Sequence, residues 1–514
     1  MTYRYRVMLV ACAISVGLFF YEGLLGFNLA DEGYLWYGAQ QTVAGFIPGR
    51  DFMAYEPGRY YWAAAVMLLR GDAGVNSLWI STAILQGISF FLALIALRSA
   101  LEKSSLAFIF LIAAVFAAWM IPRHKTFDIA ASILLMTTLV WLIEHPDRKR
   151  FFITGLALGV AALIGRNHFL YGLVGQAGAV IFLHFGGPPL LNRLRLLFCW
   201  LSGLSIGLLP YIGLMFLARG YGAALVDSSR FIAHLFVKTG STNLALPIPW
   251  PWLVEFQPGQ WISSLRAILL GVIFLCLTLF CVLGYLVAMR QRLRGRAYSP
   301  VLVAAVCLAP PYAHHAFSRA EILHLAQSLF PLLIGLAAWL TARKPVERWV
   351  LGCAALLISL FVTCTAHPGY QSFRDAGWRK VRIGNDIVVT HSAATLEILQ
   401  TIINRLTTLN ETFLAVPYWP GAYAVAGRTA PLWEIYALLS RDADFETKEL
   451  QRIRSAQPRF AFVQDIPLEG REELRYSRTH PLIYQYITTH YKKVGAAFPD
   501  KTIDLYVQPD ATYP

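Results

Sequence analysis

As far as residue 366, apolar runs of about helix-crossing length recur along the chain, each broken by charge or by Gly and Pro. A bilayer core of ~30 Å takes roughly 20 helical residues to cross. On that basis the pattern predicts about eleven spans, at 7–29, 76–98, 105–122, 127–145, 151–165, 168–186, 195–218, 262–289, 299–317, 321–341 and 347–366. The pair 151–165 and 168–186 is separated only by the polar stretch from Gly165 to His168. Beyond 367 the continuous hydrophobicity stops. Short segments alternate there: helix-like 392–409, strand-like 413–416, helix-like 446–455, strand-like 459–464, a helix near 481–490 and a strand near 502–507. The expected fold is therefore an all-α polytopic membrane domain over 1–366, with a long external loop at 30–75, followed by a soluble α/β domain at 367–514. No internal repeat or low-complexity linker separates the two.

Composition agrees with lipid as the main solvent: of 514 residues 57% are hydrophobic and 14% charged, and the mean hydropathy is +0.52. The net charge of +14 would suggest nucleic acid in a soluble protein. Here the cations cluster between apolar runs, which is a topology signal, and nucleic-acid binding is excluded. With the N-terminus inside, alternate loops carry Arg98 and Lys103, Arg148 to Arg150, Arg193 and Arg195, Arg290 to Arg296, and Arg343 to Arg348. The opposite face then receives the 30–75 loop, the 123–126 and 318–320 turns, the 219–261 loop and everything after 367. Arg4 and Arg6 before the first apolar run resemble the start of a signal peptide, but no small-residue cleavage site follows, so an uncleaved first helix is expected. All seven cysteines fall in or beside apolar segments and read as small buried hydrophobes.

The loop beginning LADEGYLWY is the richest in chemistry, holding Asp31, Glu32, Asp51 and Glu56. Carboxylates where a helix meets the interface are costly in lipid and tend to face a polar cavity, where burial tunes one toward general-base work. The competing reading is a solvated loop whose acids mark the interface. Gly45, Pro48, Gly49, Pro57 and Gly58 predict short interfacial helices broken by tight turns. Arg123, His124 and Lys125 form either a phosphate-binding or a snorkelling cluster, with Asp128 just inside the next helix. Arg166, in GRNHF, needs an anionic partner or a cavity, since an intramembrane charge costs at least ~2.5–3.5 kcal/mol. His314, His315 and His324 lack metal-ligand spacing, and no metal or other cofactor is expected. Tyr418, Trp419, Tyr423 and Arg428 read equally as acceptor contacts or as packing.

Asp31, Glu32 and Tyr34, then Arg50, Asp51 and Phe52, then Tyr55, Pro57, Gly58, Tyr60 and Tyr61 together resemble the first external loop of C-type (GT-C) membrane glycosyltransferases. The bacterial relatives of protein O-mannosyltransferases and the lipid A aminoarabinose transferases are the nearest in pattern. The segment with Arg319, Glu321 and His324 resembles a late-helix segment of the same enzymes, with Glu where Asp is commoner. The resemblance implies a polyprenyl-phosphate sugar donor, a glycan, lipid or protein acceptor, and an active site at the outer face of a bacterial inner membrane with a periplasmic C-terminal domain. It gives Asp31 the role of base, with Glu32 beside it and Asp51 in a second acidic motif. Donor or acceptor contacts fall on Arg123, Lys125, Asp128, Arg166, Arg319, Glu321 and His324. The reaction would be one inverting displacement at the anomeric carbon. The rival classes are a lipid or glycan transporter, which predicts ionisable groups near the midplane and a repeated architecture, and a noncatalytic assembly protein.

Overall fold

The computed structural model describes residues 2–184, 190–239, 244–374, 377–390, 392–407, 411–498 and 502–509. Helices occupy the first half of the chain: α1 (Tyr3–Glu22), α2 (Asp31–Val43), α3 (Gly58–Arg70), α4 (Val75–Ala96), α5 (Arg98–Leu101), α6 (Leu106–Ala118), α7 (Thr126–Glu144), α8 (Arg148–Ile164), α9 (Arg166–His184), α10 (Leu190–Leu217) and α11 (Tyr221–Thr239). The series continues with α12 (Trp261–Leu293), α13 (Pro300–Ser318), α14 (Ile322–Ser328), α15 (Phe330–Thr341), α16 (Pro345–Thr363) and α17 (Pro368–Arg374). Strands then join the helices: β1 (Arg379–Ile383), β2 (Asp386–Thr390), α18 (Ala393–Thr401), β3 (Leu414–Val416), α19 (Pro420–Ala426), α20 (Ala443–Ala456), β4 (Phe460–Gln464), α21 (Tyr476–Thr479), α22 (Pro481–His490), β5 (Lys492–Ala496) and β6 (Ile503–Val507).

Two compact units result. The first comprises Met1–Tyr21 and Thr82–Gln371; the second comprises Glu22–Ser81 and Ser372–Pro514. The segment expected as an external loop at 30–75 thus shares a unit with the C-terminal strands.

Among the described residues, seven helices are long and apolar enough to cross a membrane, and an eighth if α14 and α15 count as one span bent by 61°. Their open apolar side chains, such as Phe216 at 84% exposure and Leu286 at 62%, match a lipid surround. The stretches expected at 105–122, 151–165 and 168–186 form α6, α8 and α9, of 13, 17 and 19 residues. Residues 185 and 186 of the last lie outside the described residues, as do 408 and 409 of the helix expected at 392–409. The first helix stops at Glu22 rather than running to 29: a turn follows at 23–24, and the backbone of Leu24 and Gly26 then bonds to Val389 instead of continuing the helix. The 219–261 segment contains a 19-residue helix, α11.

Within the first unit α8 and α10 cross closely, because Gly155 and Gly159 on one meet Gly203 and Gly207 on the other. A Cβ at Gly203 would lie 2.0 Å from the Phe152 carbonyl oxygen, and one at Gly155 2.1 Å from that of Trp200. Small residues four apart on both helices let the backbones touch, which is how helices associate where lipid removes the hydrophobic driving force. The cationic helix ends are also tied down: Arg6 donates to the Glu102 and Ser104 carbonyls, Arg150 to that of Trp141, and Arg348 lies over the Phe108 ring.

In the second unit a mixed four-stranded sheet runs in the order β3-β4-β6-β5, with β3 and β4 parallel and the other pairs antiparallel. β1 and β2 form a separate hairpin, whose Val389 exchanges backbone bonds with Leu24 and Gly26. Strands expected at 413–416, 459–464 and 502–507 are β3, β4 and β6; β1, β2 and β5 add to them.

Candidate active site

In the second unit the chain reaches α2 through Asn28, whose side-chain oxygen accepts from the Ala30 and Asp31 amides at 2.7 and 3.2 Å. The two carboxylates in the first turn suit the positive end of the helix dipole. Gly33 and Gly421 bring α2 and α19 together: a Cβ on Gly33 would sit 2.4 Å from the Gly421 Cα, and the Gly421 amide donates to the Leu29 carbonyl at 2.8 Å. Asp31 accepts a 2.7 Å bond from the Tyr436 hydroxyl. Burial pushes that hydroxyl well above its ordinary range, with the Asp31 charge adding to the effect, so it stays a donor. Glu32 turns inward, 4% exposed, and accepts from the Trp79 indole at 3.2 Å.

Asp51 lies past the far end of α2, which is 13 residues or roughly 18–20 Å long. Its two oxygens each take a 2.8 Å bond from Arg50, and one also accepts from the Ile47 amide at 2.7 Å. The Arg50 guanidinium holds the Asp51 carboxyl below its usual range. Aromatic rings line the Asp31 side: Tyr34 contacts Tyr55 and Tyr436, Tyr418 contacts Tyr436, and Arg59 lies 4.7 Å over the Tyr55 ring. Of the residues in the 418–428 motif, Tyr423 is fully buried and its hydroxyl accepts from the Ala415 amide, which is packing. Trp419 donates to Gln464 at 3.2 Å, and Arg428 to the Thr407 carbonyl at 3.5 Å.

A second polar grouping lies inside the first unit, where α7, α9, α13 and α14 meet. Arg123 and Lys125 form the short turn before α7, with Arg123 buried and Lys125 half-buried. Asp128, in the first turn of α7, meets His168 Nε2 at 2.8 Å, while His168 Nδ1 meets the Tyr312 hydroxyl at 2.9 Å. The His168 ring stacks on Tyr312. With its proton on Nε2, the imidazole donates to the carboxylate and accepts from the phenol. Tyr171 extends the chain to His314 at 3.1 Å.

Glu321 gathers the neighbouring triplet: one of its oxygens takes Arg319 Nε at 2.8 Å and His324 Nδ1 at 2.9 Å. The spacing of the three residues is not that of one helical face, but they converge because Arg319 and Glu321 sit in the turn between α13 and α14. His324 stands beside the His315 ring, and Arg319 also donates to the Leu244 carbonyl at 3.2 Å. Arg166 reaches the α11 hydroxyls of Ser228 and Ser229 at 3.1 and 3.0 Å. Among the described residues no three His, Cys, Asp or Glu side chains group as a metal site.

Tyr436, His168 and Tyr312 are absent from the sequence-derived candidates. His168 was signalled by GRNHF, two residues after Arg166; nothing local marks Tyr436 or Tyr312.

No protein-family model matches the chain, and no curated protein matches it. Among solved structures it is similar to the oligosaccharyltransferase of Archaeoglobus fulgidus, crystallised with a tethered acceptor peptide. The TM-score is 0.49 and the identity 13%, covering 98% of this chain and 74% of that one. A likeness of that degree carries no functional argument.

Proposed function

We propose that the chain is an inverting membrane glycosyltransferase that moves a sugar from a polyprenyl phosphate to an acceptor hydroxyl of a glycan, lipid or protein. The proposed setting is the periplasmic side of a bacterial inner membrane, with 367–514 and the 30–75 segment outside. The observation that carries the reading is the gathering of Asp128, His168, Tyr312, Arg319, Glu321 and His324 within about two turns of helix ends in an otherwise apolar bundle. A transporter would put such groups near mid-span.

In this reading Asp31 takes the proton of the acceptor hydroxyl as its oxygen attacks the anomeric carbon. The bond from that carbon to the phosphate oxygen breaks, and the electron pair leaves with polyprenyl phosphate. Arg319 and His324, already shared with Glu321, and Arg123, Lys125 and Arg166 are the proposed counter-charges for the donor phosphate and the leaving group. Asp128, fixed by His168, is the proposed hydrogen-bond acceptor for a sugar hydroxyl. Asp51, neutralised by Arg50, holds its turn and orients the loop. Guanidinium groups at the phosphate would make a divalent cation unnecessary in principle.

A lipid extract of a deletion strain tests the reaction class. The expected result is an accumulated polyprenyl-phosphate sugar and a glycan lacking one residue. Unchanged glycans together with the same lipid trapped on the cytoplasmic leaflet would favour translocation and overturn the proposal.

A further inference from the structure

Where α15 gives way to α16, the chain leaves an open groove of about 350 Å³. Trp339 from the last turn of α15, Arg343 from the connecting residues 342–344, and Val346, Glu347, Val350 and Leu351 from the first two turns of α16 line it. Pro345 opens α16 at its first position, where the missing N–H has no partner to lose, so the chain passes from one helix to the next within that short connection. The apolar side chains on the groove side of α16 stay bare, Val346 being 74% exposed and Val350 62%. Another face of the same helix is already used, with the Trp349 ring against Phe108 and Gly352 close to Leu111. Arg343 Cζ lies 4.1 Å over the Trp339 ring. That cation–π contact holds the charge in place without giving its N–H groups an oxygen. Among the described residues no carboxylate or carbonyl accepts from the Arg343 side chain or from the Lys344 ammonium, and Glu347 pairs with neither.

We infer that this groove is a binding site for an anionic phospholipid, with its phosphate on Arg343 and Lys344 and an acyl chain along Trp339, Val346, Val350 and Leu351. The two halves of the groove set the chemistry of the ligand. The apolar half lies open at the ends of two membrane helices, at the depth where Trp and Arg mark the headgroup layer, so it suits a hydrocarbon chain that already belongs to the bilayer. The polar half suits an anion with several oxygens, since a guanidinium presents a fork to phosphate and an ammonium adds a point charge. Arg343 and Lys344 against Glu347 leave a net charge of one positive, and basic pockets between membrane helices at the Lys- and Arg-rich end take such headgroups. A free phosphate would use the cations and leave the apolar half uncovered. Glu347 stands in the first turn of α16, where a carboxylate suits the helix dipole, so it serves the helix and subtracts from the affinity for an anion. The site contains none of the residues assigned to sugar transfer and does not depend on that reading.

Native mass spectrometry of the full-length protein in detergent, stripped of copurifying lipid and titrated with phosphatidylglycerol or with phosphatidylcholine of the same chains, tests this. Phosphatidylglycerol is expected to bind more tightly. Arg343→Gln and Lys344→Gln should each weaken it about fivefold and Glu347→Gln should tighten it by about the same factor, with phosphatidylcholine binding unchanged throughout. Opposite signs at Arg343 and Glu347 are not what a general loosening of the turn would give. Equal binding of the two lipids, or a preference that survives both Arg343→Gln and Lys344→Gln, overturns the inference. A second arm locates the ligand in the unmutated chain: phosphatidylglycerol with a photoreactive diazirine in its acyl chain should label the peptide spanning 339–351, and labelling confined to other segments contradicts the assignment. Cross-linking of two copies of the chain through Val350→Cys, with phosphatidylglycerol unable to compete, would make the groove a contact between copies and likewise overturn the lipid site.

Discussion

Asp51 is the clearest case of a carboxylate whose charge is used locally. Three donors meet it, two from Arg50 and one from the Ile47 amide, and its pKa is depressed as a result. A depressed folded pKa gives stability that is present above the unfolded value, about 4, and lost as pH falls through the folded one. Because the pair is partly exposed, the contribution is small, about 1 kcal/mol. Asp51→Asn should therefore lower thermal stability in detergent at pH 7, and the gap from the unmutated chain should close toward pH 2. A gap of equal size at both pH values would show that the ionised carboxylate is not what holds the turn. Acids and cations such as Asp31, Glu32, Asp51, Arg319 and Glu321 were legible in the sequence because charge beside an apolar run is rare and costly. Their partners were not: Tyr436 lies 405 residues from Asp31, and Tyr312 lies 144 from His168. A tyrosine in an apolar helix carries no local sign that its hydroxyl meets an imidazole.

Helices of this chain could be read from the sequence because a bilayer imposes a length as well as a composition. The failures have physical causes. The hairpin β1–β2 turns at Gly384 and Asn385, a pair that suits hairpins, but β1 is mostly charged and β2 runs Ile387, Val388 and Val389 in succession, so neither strand shows a clean two-residue period. Edge strand β5 is largely exposed and has no apolar alternation to betray it. The close crossing of α8 and α10 was written in two four-residue glycine spacings. Gly203→Ala should cost about 1–3 kcal/mol, since the new methyl would meet the backbone carbonyl of Phe152, which cannot rotate away. Gly213→Ala, on the same helix with nothing within 4 Å, should be neutral or slightly stabilising, by up to about 1 kcal/mol. Thermal unfolding of the two variants side by side checks this, and equal effects would contradict the tight crossing. In the second unit Gly33→Ala should likewise destabilise, because its Cβ would collide with the Gly421 backbone; limited proteolysis of the segment after residue 411 reads the loosening.

On the scale of the whole chain, the basic helix ends and the polar grouping of α7, α9, α13 and α14 lie at opposite helix termini, the arrangement that the positive-inside rule turns into an orientation. The account therefore expects Glu473→Cys, at an exposed side chain, to react with a membrane-impermeant maleimide in intact spheroplasts. Arg294→Cys should react only after lysis, against the background of the unmutated chain; the reverse pattern would invert the topology. The central claim, that Asp31 is the base of a lipid-linked sugar transfer, meets its most direct test in purified Asp31→Asn protein reconstituted with its native polyprenyl-phosphate donor. Loss of a general base typically costs ~10²–10⁴-fold in rate. The account predicts a fall of that size with donor binding unchanged, and undiminished turnover in Asp31→Asn would contradict it.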